Sequence, residues 1–354
     1  LGPPTLTMPA LTKFVDGTGP VWTGNLFPFL FITIACGAVS GFHALISSGT
    51  TPKMLANESQ ACFIGYGGML MESFVAIMAL VAACIIDPGV YFAMNSPMAV
   101  LAPAGTTDVV ASAAQVVSGW GFSITPDTLH QIASEVGEQS IISRAGGAPT
   151  LAVGMAYILH GSLGGLMDVS FWYHFAILFE ALFILTAVDA GTRAARFMLQ
   201  DLLGVISPGL KKTSSLPANL LATALCVLAW GYFLHQGVVD PLGGINTLWP
   251  LFGIANQMLA GMALMLCAVV LFKMKRQRYA WVALLPTSWL LICTLTAGWQ
   301  KSFSPDTKVG FLAIANKFQA MIDSGNIPPQ YTESQLAQLV FNNRLDAGLT
   351  IFFM

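Results

Sequence analysis

The sequence predicts an all-α, polytopic bundle of membrane-spanning helices, and three observations predict it. Charged side chains are scarce: 15 Lys+Arg and 17 Asp+Glu make up 9% of 354 residues, where a soluble domain carries about 25%. Apolar residues reach 55% and mean hydropathy is +0.70, which leaves too little polar surface to clothe a water-soluble globule. The apolar residues are gathered into runs of about 20, the length that crosses the hydrocarbon layer as a helix. A net charge of −2 without a long basic stretch gives no footing for nucleic acid. The six cysteines lack CxxC spacing and lie mostly inside apolar runs, so they read as packing residues rather than a disulfide framework.

The spans follow in order. Phe27–Ser48 is uncharged, and Ile64–Ile86 carries only Glu72. Phe171–Met198 is apolar around Glu180 until Asp189, Arg193 and Arg196. Leu216–His235, Leu248–Phe272 and Ala280–Ala297 are uncharged, and a further span opens near Ala347. The Gly-rich run Ala148–Met167, which holds His160, reads as a re-entrant or interfacial helix. If it does not cross, Lys53, Arg193, Arg196, Lys211, Lys212 and the group from Lys273 to Arg278 fall in short turns on the inside, as the positive-inside rule asks.

Two connections then lie outside, 87–147 and 298–346. The first is acidic, with Asp87, Asp108, Asp127, Glu135 and Glu138 against Arg144. Loops of that length without structure are uncommon, so short helices are expected in it, as a lid or as a connector. The second has mixed charge, Lys301 included, and a short amphipathic helix at Thr332–Gln338. The chain starts at Leu1 and stops inside an apolar run, so residues 1–354 read as one partial transmembrane domain of a longer protein.

The most informative stretch is Ile34–Lys53, IACGAVSGFHALISSGTTPK. Gly37, Ser40, Gly41 and His43 interrupt what begins as a membrane helix. Glycine lowers helix preference by about 1 kcal/mol relative to alanine, and irregular backbone at membrane depth survives only inside protein or along a cavity. Broken helices of this kind offer freed amides to an anionic substrate and freed carbonyls to a cation. The same Gly37-x-x-x-Gly41 spacing equally fits a close helix–helix contact.

Glu72 and Glu180 sit well inside their spans, where a carboxylate is costly unless protonated or paired; each is a proton carrier or a structural hydrogen-bonding acid. Thr186, Asp189, Arg193 and Arg196 share one helical face. There Asp189 and Arg193 form either an ordinary i,i+4 ion pair or, with Thr186, the edge of a cation or proton site. Asn256 and Gln257 need hydrogen-bond partners within the membrane, from substrate or from neighbouring helices. His43, His160 and His174 are relay candidates or packed residues. The motifs HExxH, GxSxG and GxxxxGK[ST] are absent, which argues against an enzyme.

The segments CGAVSGFHALISSGTTPK (36–53), IGYGGMLMESFVAIMAL (64–80), ALFILTAVDAGTRAARFMLQD (181–201) and LWPLFGIANQMLA (248–260) together resemble the carbon starvation protein A family of bacterial inner-membrane proteins. The resemblance implies secondary uptake of peptides or pyruvate when carbon is scarce, coupled to protons in preference to sodium, with no cofactor or metal. It also implies kinship to the amino acid–polyamine–organocation superfamily, and so a LeuT-like inverted-repeat fold with discontinuous helices. Phe27–Ser48 would then be the broken helix opening the second repeat, and Phe171–Met198 the helix lining a coupling site. On this reading Gly37, Ser40, Gly41, His43 and Asn256 bind substrate, while Glu72, Glu180, Thr186 and Asp189 serve coupling. The partners expected are a small-molecule substrate and the lipid bilayer. The alternative is a membrane nutrient sensor that binds its ligand and signals to a partner without net transport.

Overall fold

The computed structural model describes residues 5–21, 23–103, 106–239, 244–328 and 331–354, with the backbone alone at 35, 38 and 244–248. The described residues form helices joined by turns, with no strand among them. They fall into two compact units, Leu1–Thr23 with Cys62–Thr186, and Gly24–Ala61 with Ala187–Met354.

The run expected as one span at Phe27–Ser48 is not one helix. It is built from α1 (Leu26–Thr33), α2 (Ala35–Ala38) and α3 (Gly41–Leu45), then a π turn (Ile46–Thr50) and α4 (Thr51–Met54). The chain leaves helical geometry at Ile34 (φ −97°, ψ 18°) and at Ser40 (φ −104°, ψ 112°). Gly37 lies inside α2 and Gly41 opens α3. The interruption therefore sits beside the glycines, at positions where side chains replace the lost backbone bonds.

α5 (Gln60–Ile85) follows as a continuous apolar helix. Its Met71, Phe74, Ile77 and Leu80 are exposed, the reverse of a water-soluble fold and the ordinary state of a helix facing lipid. The acidic stretch beyond it does contain short helices: α6 (Pro88–Asn95), α7 (Met98–Leu101), α8 (Val109–Gly119) and α9 (Pro126–Val136). Asp87, Asp108 and Thr125 cap the N-termini of α6, α8 and α9 with their side chains, so two of the acids in this stretch terminate helices. Val90, Leu101, Val117, Leu129 and Val136 build a buried core beneath them, and Phe92 stacks on Phe122 at 4.5 Å.

α10 (Gly147–Ser162) has 16 residues. That is about 24 Å of helix, short of the ~30 Å hydrocarbon layer. Gly164 (φ +65°) and Gly165 (φ +75°) then turn the chain in a conformation that favours glycine. α11 (Val169–Ile206), α12 (Leu216–Val239), α13 (Gly244–Lys273) and α14 (Trp281–Phe303) complete the long helices. Among the described residues, five helices are long and apolar enough to cross a membrane: α5, α11, α12, the part of α13 from Trp249, and α14.

The expected connection 298–346 is shorter than hydropathy suggests. α14 runs on to Phe303, α15 covers Phe311–Asp323, and α16 (Glu333–Phe353) is one helix of 21 residues. Thr332–Gln338 is thus the start of α16, and the apolar run from Ala347 is its end. A capping box between Thr332 and Gln335 starts the helix, and buried Leu336, Leu339, Val340 and Ala347 carry it through. In the second unit α13 is the central post, packed by α1, α2, α3, α12, α14 and α16.

α5 and α10 approach backbone to backbone, because a Cβ at Gly154 would fall on the carbonyl of Ala82. Gly154→Val is expected to destabilise the protein by about 1–3 kcal/mol through overpacking, read as a lower thermal-unfolding temperature of the purified protein. Gly161→Ala, which meets open space on the same helix, is expected to leave that temperature unchanged or raise it slightly.

Candidate functional site

The broken helix is seated on α13 through two small residues. A Cβ at Gly253 would lie 2.5 Å from the carbonyl oxygen of Ile32. One at Gly41 would fall on the carbonyl of Asn256 and come within 2.6 Å of Leu259 Cβ. Contact this close puts the side chains of α13 within reach of the interrupted backbone. Asn256 Oδ1 accepts the Phe42 N–H at 2.8 Å. Gln257 Nε2 donates to the carbonyl of Phe31, and Thr294 Oγ1 of α14 donates to Gln257 Oε1 at 3.2 Å. Ser40, extended, caps α3 by accepting the His43 N–H at 3.1 Å.

These bonds revise one expectation. The amides of Phe42 and His43 are not bare; Asn256 and Ser40 occupy them. The polar group left over is on a side chain. Asn256 is 4% exposed, and its Nδ2 is buried with no hydrogen-bond partner. Beside the break, Ser40 Oγ lies 2.6 Å from His43 Nδ1 and 3.4 Å from Cys36 Sγ.

Of the residues singled out in the sequence, Ser40, Gly41, His43 and Asn256 come together here. Gly37 is near in the chain but meets nothing within 4 Å of an added Cβ. Asp189 lies on α11 two residues from Gly191, against which the Phe42 ring packs at 2.9 Å from an added Cβ. Its carboxylate pairs with Arg193 at 2.9 Å, and Arg193 also reaches Met54 Sδ at 3.5 Å. The i,i+4 contact that the spacing allows is therefore made.

Glu72, Glu180 and Thr186 belong to the other unit. Thr186 Oγ1 donates back to the Phe183 carbonyl at 2.7 Å. Glu180 is half-buried and Glu72 is exposed on α5, so the depth expected for Glu72 within its span does not bury it inside this chain. His160 Nδ1 lies 2.8 Å from the Met167 carbonyl and His174 Nδ1 2.7 Å from that of Ser170, local bonds that hold both rings. No group of three His, Cys, Asp or Glu suited to a metal occurs among the described residues.

Two residues escaped sequence reasoning. Thr294 is fully buried, yet nothing marks it out in an uncharged run. Lys301 looks like a loop cation in the sequence but is 6% exposed, with its ammonium 5.4 Å from the Phe29 ring and 5.6 Å from that of Phe311. The two aromatic faces are part of what receives this amphipathic cation.

Gly41→Ala is expected to destabilise the protein and Gly37→Ala to leave it near wild type, because only the first meets packed backbone; thermal unfolding of the purified variants distinguishes them. Asn256→Ala strands the Phe42 amide and should cost about 1–3 kcal/mol by the same measurement.

The carbon starvation protein CstA family matches residues 1–297. The chain is 95% identical over 351 residues to the peptide transporter CstA of Escherichia coli K12, covering 99% of this chain and 50% of that protein. It is 59% identical over 369 residues to the pyruvate/proton symporter BtsT of the same organism, covering 99% and 51%. It is 41% identical over 297 residues to the peptide transporter CstA of Bacillus subtilis 168, covering 84% and 46%. The chain spans about half the length of these curated relatives. No solved structure matches it. By this match, and by its apolar helices, the chain belongs to the carbon starvation protein CstA family of multi-pass membrane proteins.

Proposed function

We propose that the chain is part of a secondary transporter of the bacterial inner membrane that takes up small carboxylate-bearing nutrients, peptides or pyruvate, driven by protons. One observation carries the reading: a membrane helix broken at Ile34 and Ser40, beside a buried amide donor, Asn256 Nδ2, that has no partner. A substrate carboxylate is the natural acceptor for such a donor. Since that atom is closed off from solvent, substrate reaches it when the break opens, as alternating access requires. Ser40 and His43 flank the same point and offer a hydroxyl and an imidazole in hydrogen-bond contact. Gly41 lets the broken helix lie against α13, and Gly37 gives the short α2 segment room to move.

The names of the relatives, a peptide transporter and a pyruvate/proton symporter, support substrate and coupling ion alike. Glu72 and Glu180 are the proton carriers in this reading. Asp189 and Thr186 shape the coupling helix, with the Asp189 carboxylate paired to Arg193. A LeuT-like inverted repeat accounts for α1–α4 as the broken helix of one repeat, and no cofactor takes part.

Uptake of labelled pyruvate and of a labelled dipeptide by the full-length protein in proteoliposomes, with the lumen made alkaline, is expected to exceed uptake without a gradient. Indifference to the gradient removes proton coupling. Glu72→Gln or Glu180→Gln should abolish the gradient's effect while leaving counterflow exchange intact; if both variants keep it, neither residue carries the proton. Asn256→Ala is expected to raise KM at least tenfold, about the worth of one hydrogen bond to a charged group.

A further inference from the structure

The first unit contains a cavity of about 220 Å³ at the end of α5, between α6, α9 and α10. Its wall is apolar, from Ile86, Val90, Ile132 and Val153, and its polar lining comes from Asp87 and Tyr157. Those two present acceptors only. Asp87 is exposed, and its carboxylate is fixed as the cap of α6, with Oδ1 accepting the N–H groups of Gly89 at 2.8 Å and Val90 at 3.4 Å. The Tyr157 hydroxyl gives its proton to Glu135 Oε2 at 2.5 Å, and Gln131 Nε2 holds the other oxygen of Glu135 at 2.8 Å. Burial, and then this bond to Glu135, pushes the Tyr157 hydroxyl well above its ordinary pKa, so the proton stays committed and the phenolic oxygen has only lone pairs to offer.

A ligand for such a place must bring the donors and the positive charge itself, together with an apolar body. Glu138 of the same unit is paired with Arg144 at 2.9 Å, so the charge in the cavity wall is that of Asp87, and no cation lines it to receive a small anion such as pyruvate. The volume lies below the ~300–1,000 Å³ of sites that enclose a whole drug-sized ligand. It suits one side chain, with the rest of the molecule leaving through the mouth.

We propose that this cavity receives the N-terminal residue of a peptide, its ammonium against Asp87 and its apolar side chain between Ile86, Val90, Ile132 and Val153. The inference deepens the transporter reading above and rests on it for its role: it adds a subsite, apart from the broken helix, that selects peptides with a free apolar N-terminus. An aminophospholipid headgroup offers the same ammonium, and the test separates the two sources.

The test is equilibrium binding of labelled Leu-Ala to the purified full-length protein, run beside the uptake assay. Leu-Ala should bind at least tenfold more tightly than N-acetyl-Leu-Ala or Asp-Ala, the loss expected when a charge-assisted bond disappears. Asp87→Asn, which keeps a capping side chain at α6, should weaken Leu-Ala binding about tenfold and leave pyruvate uptake unchanged. Val153→Trp, which fills the cavity, should do the same; Asp87→Asn decides alone if the bulkier variant fails to fold. Equal binding of free and acetylated peptide, or wild-type affinity in Asp87→Asn, overturns the proposal even where uptake persists. Displacement of Leu-Ala by phosphatidylethanolamine vesicles but not by phosphatidylcholine vesicles assigns the cavity to lipid and overturns it as well. Amine-dependent binding without any uptake leaves the subsite standing and removes the transporter reading instead.

Discussion

Inside a bilayer every backbone N–H and C=O must find a partner within the protein, because lipid offers none and each orphan costs several kcal/mol. The second unit is organised around that constraint. By leaving helical geometry at Ile34 and Ser40 the chain gives up intrahelical bonds, and side chains restore them one by one. Gln257 serves the Phe31 carbonyl, Asn256 the Phe42 amide, and Ser40 the His43 amide. Thr294 in turn holds Gln257. Remove the close contacts at Gly253 and Gly41 and α13 could no longer deliver these groups.

A break satisfied by side chains differs from a regular helix in how it responds. Helical bonds form and break cooperatively along a turn, whereas the bonds at Ser40 and Asn256 are separate contacts between individual groups. Asn256 spends its oxygen on the backbone and leaves its nitrogen unsatisfied. A buried donor without a partner costs about 1–3 kcal/mol, and a site that carries such a cost favours a ligand that relieves it. The first unit solves a different problem. Its short helices carry side-chain caps at Asp87, Asp108 and Thr125 and a core of Val, Leu and Ala, as in a water-soluble domain, while the long helix α5 keeps its apolar face outward.

Much of this was legible in the sequence, for definable reasons. Hydropathy averages over a span, so it located α5, α11, α12, α13 and α14 without knowledge of their neighbours. The glycines and Ser40 marked the interruption, since local backbone preference acts over a few residues. Hydropathy was a poor guide where a polar residue is buried by its surroundings. Lys301 reads as a loop cation until the rings of Phe29 and Phe311 are placed beside it, and α16 reads as two pieces until Leu336, Leu339 and Ala347 are seen to share one buried face. For Asp189 the i,i+4 spacing to Arg193 permitted two readings, and the geometry shows the ion pair.

Composition and periodicity by themselves determined that this is a helical membrane protein, where its long helices run, and that the stretch around Ser40 does not remain a helix, because those properties depend on residues within a few turns of one another. Which amides stay free, which acids are paired and which polar side chain is left without a partner were decided only by the tertiary structure. Asn256 stands 214 residues from the amide it caps, and nothing in the local chain at either end encodes that meeting.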